Sequence, residues 1–452
     1  MSAIIFAIIG IGLVLAFYKP YVYVVYFGLL GSDVGARGIT GFIDSIYPMY
    51  SLIMRLILAI AMTVALVRYY SQHKRSSISK WISISLLYIV SMIAMLVLHL
   101  GELSIMSFLG RTLLTICNFG PAALIIWMVY ANQFNHKRLL LVYSVLQCSI
   151  AFIIIYGSYF GFPLLNVFNA GLYNEGYFYL DDNNSMVALP NNFYLAFVGK
   201  NDYFIRCGQF HNSNGLGFAS GVLIFLSLSN FFEDKREWLS KLFFIVIGLF
   251  AFLLWCNTGT RGPIVGIVVG IMTYLIVSKK NNKGLAIAIG VSIVIALMVI
   301  LLFASDSSFI NYFVGSSTNE SFESRRALND NAFAHFTDFF LTGCGGDMTM
   351  LFENEIDPHE LPMRIFCLYG IIPAIIVTIL TIIRPLKSYF HNREALTLYA
   401  SGCFWLTLFI GLTNNFAENI LYWLVLGEFI ISISSGNTDL NGNKIKIREA
   451  SA

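Results

Sequence analysis

The sequence predicts an all-α, polytopic integral membrane protein of 12 or 13 transmembrane helices, and three observations carry that class. The chain is 57% hydrophobic and only 12% charged, about half the charged share of a soluble domain, with a mean hydropathy of +0.73. Apolar blocks of about 15 to 24 residues alternate with short polar clusters, and roughly 20 helical residues cross a hydrocarbon core. Basic clusters recur at 71–80, 135–138, 233–241, 279–284, 384–393 and 443–448, with two apolar blocks between each and the next. A block in lipid must satisfy its backbone polar groups internally, so each block reads as a helix.

The positive-inside rule makes all of these clusters cytoplasmic. Residues 3–31 form either one long kinked span or a hairpin that breaks at Lys19-Pro20. The apolar opening lacks a basic n-region and a small-residue cleavage site, so the first span is expected to be retained. Further spans are expected at 46–69, 81–99, 112–131, 139–160, 214–232, 242–256, 263–278, 285–304, 364–383, 396–412 and 421–435. Residues 1–452 thus make a single transmembrane domain with two long outer loops, 161–213 and 305–363. The second loop contains ten acidic residues and an amphipathic stretch at 329–340, read as a helix on the bundle or in the membrane interface. No internal repeat, soluble domain or linker is visible.

Of the 28 Lys and Arg residues, nine fall on the outer side or within reach of it: Arg37, Arg55, Arg111, Lys200, Arg206, Arg261, Arg325, Arg326 and Arg364. All but Lys200 are arginine, whereas the cytoplasmic clusters mix the two types freely. Guanidinium grips phosphate oxygens through a planar fork, while lysine serves solvation equally well. The bias points to an outer oxyanion site, against the blander reading that these arginines pair with the acidic loops. Arg206 stands just before a span, and Arg261 sits in the tight turn NTGTRGP between two spans. His359 lies in ENEIDPHELPMR, where Glu355, Asp357 and Glu360 could orient an imidazole that takes a proton from a sugar hydroxyl. The alternative for His359 is a merely solvated loop histidine. Metal-ligand spacings are absent, as are nucleotide-binding and nucleophile-elbow motifs, so no metal, cofactor or nucleic-acid partner is expected.

Four segments in order resemble the bacterial O-antigen polymerase and O-antigen ligase superfamily of membrane glycosyltransferases. RCGQFHNSNGLG, with Arg206, Gln209, Asn212 and Asn214, resembles the signature before a span, and Thr258-Gly259-Thr260-Arg261-Gly262 the short turn between spans. Arg325 followed by Gly343-Cys344-Gly345, and His359-Glu360-Leu361 with Gly370 beyond, are similar to the remaining two. Glu360 stands where the family usually has asparagine, and Arg326 competes with Arg325 for one role. The resemblance, over roughly residues 200–385, implies transfer of a glycan from undecaprenyl diphosphate to an acceptor hydroxyl at the periplasmic face of the bacterial inner membrane. It implies inversion without a metal. Arg206, Arg261 and Arg325 would neutralise the diphosphate and His359 would accept the proton. Gln209, Asn212, Asn214, Arg326, Glu355 and Asp357 would contribute to substrate binding. A chain-length regulator and a flippase are the candidate protein partners besides the lipid-linked oligosaccharide and the bilayer. The acidic outer loops favour a polymerase over a ligase acting on lipid A-core, and a multi-pass transporter is the reading from a different class.

Overall fold

The computed structural model describes residues 2–31, 49–72, 80–130, 136–157, 213–232, 238–258, 260–277, 317–353, 358–391, 396–414 and 419–434, with a few isolated positions between them. All regular elements among the described residues are helical. Helices α1 (Ser2–Tyr18) and α2 (Pro20–Leu30) meet at Lys19 and fold back on each other. The Tyr26 hydroxyl donates to the Ile8 carbonyl at 2.9 Å, a contact that one continuous helix rising about 1.5 Å per residue would not allow. The hairpin forms because Pro20, which lacks an N–H, opens the new helix rather than continuing the old one.

The chain continues through α3 (Tyr50–Gln72), α4 (Lys80–Leu98), α5 (Ile105–Tyr130) and α6 (His136–Gly157), then α7 (Ser213–Phe232), α8 (Trp238–Thr258) and α9 (Gly262–Val277). Among the described residues, Tyr50–Arg68, Asn214–Phe231, Trp238–Trp255 and Ile371–His391 are each long and apolar enough to cross a membrane. The span expected at 285–304 and residues 161–212 of the first long loop lie outside the described residues.

Helix α10 (Ser317–Ala334) begins well before the amphipathic stretch expected at 329–340, breaks at His335 and resumes as the single turn α11 (Phe336–Phe339). Its early turns are polar, so hydrophobic periodicity is silent there. The run Ser317-Thr318-Asn319-Glu320 nevertheless has the S-x-x-E pattern of a helix start. After α12 (Met348–Glu353), α13 (Leu361–Tyr369) and α14 (Ile371–His391) divide the span expected at 364–383 into a short helix and a long one. The break is at Gly370, with φ of 84°. Within α14 a π-helical turn, Ile379–Ile383, precedes Pro385, whose ring would clash with the carbonyl four residues earlier in a regular turn. Helices α15 (Leu398–Thr413) and α16 (Ile420–Ser434) complete the bundle.

Helix α5 packs against α3, α4 and α16, while α7 packs against α6, α8, α9 and α15. Because α16 also touches α6 and α15, it joins the two groups. Small residues set the closest approach: a Cβ at Gly270 of α9 would stand 3.1 Å from the Gly402 Cα of α15, and one at Gly402 would overlap the buried Phe225 ring. Such contacts substitute for a hydrophobic drive, which lipid does not supply between helices. Gly402→Val is therefore expected to cost about 1–3 kcal/mol, read as a lower thermal midpoint of the detergent-solubilised protein.

Candidate functional site

The chemistry-bearing residues gather at one end of the bundle in two groups. The first forms where α7 begins and α8 turns into α9. The Trp255 indole N–H donates to the Thr260 carbonyl at 2.6 Å, and the Thr258 hydroxyl donates to the Trp255 carbonyl at 2.7 Å. These bonds draw Thr260 back against the end of α8. A Cβ at Gly217 would sit 2.6 Å from the Thr260 Cβ and 3.0 Å from the Thr258 hydroxyl, so only glycine lets the first turns of α7 meet it. Asn214, half-buried, lies one turn before Gly217. Arg261 is half-buried at the start of α9. Gly262 faces Ile410 and Thr413 at the end of α15, next to the buried Asn414.

The second group is built on a glycine turn. Gly343, Gly345 and Gly346 have φ of 64°, 63° and 72°, the left-handed region that other residues avoid. The turn lies against the end of α13: Cys344 N–H donates to the Cys367 carbonyl at 2.8 Å and Gly346 N–H to the Leu368 carbonyl at 2.9 Å. Ile371 N–H donates to the Phe340 carbonyl at 3.0 Å, and a Cβ at Gly370 would overlap the Leu341 carbonyl oxygen. From α5, Arg111 donates to the Gly345 carbonyl at 3.0 Å and pairs with Asp347 at 2.7 Å. Buried Arg364 of α13 lies 3.9 Å from the Met348 sulfur. His359 is half-buried immediately before α13, and Glu360 accepts from the Asn329 amide of α10 at 2.8 Å. Phe336 stacks on Phe366 with ring centroids 5.0 Å apart, the second tie between this loop and α13.

The structure thus brings the Asn214 end of α7 to the Arg261 turn, and brings α10 to the segment holding His359. Arg325 occupies the position one turn before Asn329 in α10. Arg326 is exposed and lies 3.7 Å from Asp330 on the same helix. Helix α15 stands between the groups, packing on α13 and, through Ile410 and Thr413, on Gly262. Arg206, Gln209, Asn212, Glu355 and Asp357 lie outside the described residues. Arg55 of α3 donates to Asn118 of α5 at 2.7 Å.

Sequence reasoning placed Arg111 among the outer cations without a role, and passed over Asp347 and Asn329. Asp347 had a readable signal, an acid directly before a short apolar helix. Arg111 had none, because its partner is 236 residues away.

Fold and site together define an all-helical membrane protein whose phosphate-type and acid–base-type side chains share one end. Residues 243–378 match the family model described as O-antigen ligase. The match supports the O-antigen ligase and polymerase superfamily of membrane glycosyltransferases, and it includes Arg261, Arg325 and His359. No curated protein and no solved structure matches the chain.

Cys344 reports on the glycine turn. Its thiol donates to the Asp347 carbonyl at 3.4 Å, and burial pushes it up from 9.0 to about 11. A thiol raised by that much holds about a hundredfold less thiolate at pH 8. Maleimide labelling of Cys344, followed by peptide mass spectrometry, is expected to be correspondingly slow in the folded protein and to accelerate as pH rises toward 11. Labelling as fast as in the unfolded chain at pH 8 would mean the turn is not packed in this way.

Proposed function

We propose that the protein polymerises polysaccharide repeat units at the periplasmic face of the bacterial inner membrane, as an O-antigen polymerase does. A hydroxyl of one lipid-linked repeat unit attacks the anomeric carbon of a glycan carried on undecaprenyl diphosphate. The new glycosidic bond forms as the bond to the diphosphate breaks, with inversion. His359 takes the hydroxyl proton, and the diphosphate leaves as an anion neutralised by Arg206, Arg261 and Arg325. Fixed guanidinium groups aimed at a leaving group do what a metal ion does elsewhere, at no cost of reorganisation during the reaction.

The observation that carries this reading is the docking of α7 on the Arg261 turn. The helix that follows the Arg206 segment packs its first turns against Thr258 and Thr260, so two of the four signature segments occupy one place. The Asn329–Glu360 bond supports the other two in the same manner, since it joins the helix of Arg325 to the neighbour of His359. It also gives Glu360, the departure from the family's asparagine, a partner of the complementary type. Exposed Arg326, paired along its own helix with Asp330, makes Arg325 the better candidate for the clamp.

Charge beside the site bears on the acceptor. Glu323 and Glu353 are exposed on the loop beside the site, as are Asp330 and Asp338, which lie within reach of Arg326 and His335. An acidic rim repels a phosphorylated lipid A-core and tolerates a growing glycan, which favours polymerase over ligase.

Arg261→Lys is expected to lower chain formation about a hundredfold while the protein still inserts, because an ammonium cannot reproduce the fork. Near-normal polymer length in that variant would remove Arg261 from the clamp. A gel of surface polysaccharide from a deletion strain separates the acceptors: caps of a single repeat indicate a lost polymerase. A bare core with carrier-linked polymer accumulating indicates a ligase.

A further inference from the structure

We propose that Arg111, from a part of the chain that precedes the matched family region, acts with Asp347 inside that region to position the His359 segment. The role rests on the reading of His359 as the proton acceptor. The geometry is that of a closed loop pinned at its closure. Backbone bonds from Cys344 to Cys367 and from Gly346 to Leu368 join the two ends of residues 344–368. Between those ends, Asp347 Oδ1 accepts from the N–H groups of Thr349 and Met350 at 3.1 and 3.3 Å and so starts α12. Ile356 N–H donates to the Leu351 carbonyl at 2.9 Å with both side chains buried, and His359 and Glu360 then lead into α13.

The Arg111 guanidinium ties the start of this loop to α5. Arg111 reaches the Gly345 carbonyl with Nη1 at 3.0 Å and Asp347 Oδ2 with Nη2 at 2.7 Å. One turn further along α5, the Thr115 hydroxyl donates to the Arg111 carbonyl at 2.8 Å and lies 2.8 Å from the Tyr369 hydroxyl, which secures the other side of the closure. Asp347 therefore uses one oxygen to start α12 and the other to hold α5. Any shift of Arg111 moves the helix that leads to His359. With its fork engaged and its charge matched by Asp347, Arg111 is a positioning residue, distinct from the arginines assigned to the diphosphate.

The test uses full-length protein in lipid nanodiscs with a synthetic undecaprenyl-diphosphate oligosaccharide. Lysine at 111 can reach the carboxylate or the carbonyl, but an ammonium lacks the fork for both. Arg111→Lys is expected to lower kcat by roughly tenfold to a hundredfold with KM within about twofold, since a small displacement of a reacting group costs rate rather than binding. Asp347→Asn keeps the acceptor that starts α12 and loses only the charge, so a smaller fall in kcat is expected. It also serves where Arg111→Lys fails to fold. Hydrogen exchange provides the readout that does not depend on turnover: amides of residues 348–360 are expected to exchange about tenfold faster in Arg111→Lys, with those of α7 and α15 unchanged.

A raised KM with unchanged kcat would make Arg111 a substrate ligand and overturn the proposal. Wild-type exchange across 348–360 in both variants would overturn it as well. A wild-type protein inactive on every lipid-linked glycan would instead defeat the functional reading, and the exchange result would then judge the pinned loop by itself.

Discussion

The end of the bundle that carries the site is organised by one backbone-to-backbone contact. Residues 341–346 lie so close to residues 367–371 that neither Gly343 nor Gly370 has room for a Cβ, and both hold positive φ. The contact interrupts what would be one long helix and leaves α13 as a separate piece above α14. The Cys367 and Leu368 carbonyls exposed by the interruption accept from N–H groups of the turn, and the Ile371 N–H donates to the Phe340 carbonyl, as a break at the edge of a membrane requires. α12, the His359 segment and α13 lie between the two sides of this contact. The α10 helix is then held to them by Asn329 and Phe336.

This explains what the sequence did and did not disclose. Apolar blocks between basic clusters locate helices well because lipid leaves the backbone few alternatives, and α3 through α9 lie where those blocks are. The Lys19-Pro20 break is legible for a local reason, the missing N–H, although choosing a hairpin over a kink needed the Tyr26 contact. The Gly370 break is not legible in that way. A lone glycine before Ile-Ile-Pro inside an apolar run reads as a tolerated residue, and only the approach of Leu341 reveals why it must be glycine. Likewise Thr258–Arg261 stands out by composition, whereas the pairing of Arg111 with Asp347 is a contact between distant parts of the chain that no local pattern encodes.

Ionisable groups inside the spans test the choice between a glycosyltransferase and a transporter. Glu428 of α16 is buried, and accepts from the Tyr399 hydroxyl of α15 at 2.6 Å. Lys137, at the start of α6, lies 4.4 Å from the centre of the Tyr399 ring. This arrangement joins α6, α15 and α16 near the end opposite the Arg261 turn, where α6 and α15 begin. A carboxyl group that accepts from a phenol whose ring faces a lysine, in a three-helix contact, has the character of an interhelical tie. A transporter's ionisable groups would instead line a path at the midplane.

The distribution of arginine follows from the same economy. Arg68, near the end of α3, donates to the carbonyls of Phe17 and Tyr18 at the end of α1, and Arg111 holds the glycine turn. Each spends its fork on backbone oxygens that a helix end or a tight turn leaves unpaired. Arginine at the site end therefore has two uses, and a count of outer cations cannot separate them. Context does: Arg111 faces carbonyls and a matched carboxylate, and Arg326 faces a carboxylate on its own helix. Arg261 opens a helix at a turn where glycine and threonine bring three helices together. A helix start already favours an anion, so a guanidinium placed there adds charge to a region that is electropositive for a separate reason. Two sources of positive potential at one point are consistent with the diphosphate clamp proposed above.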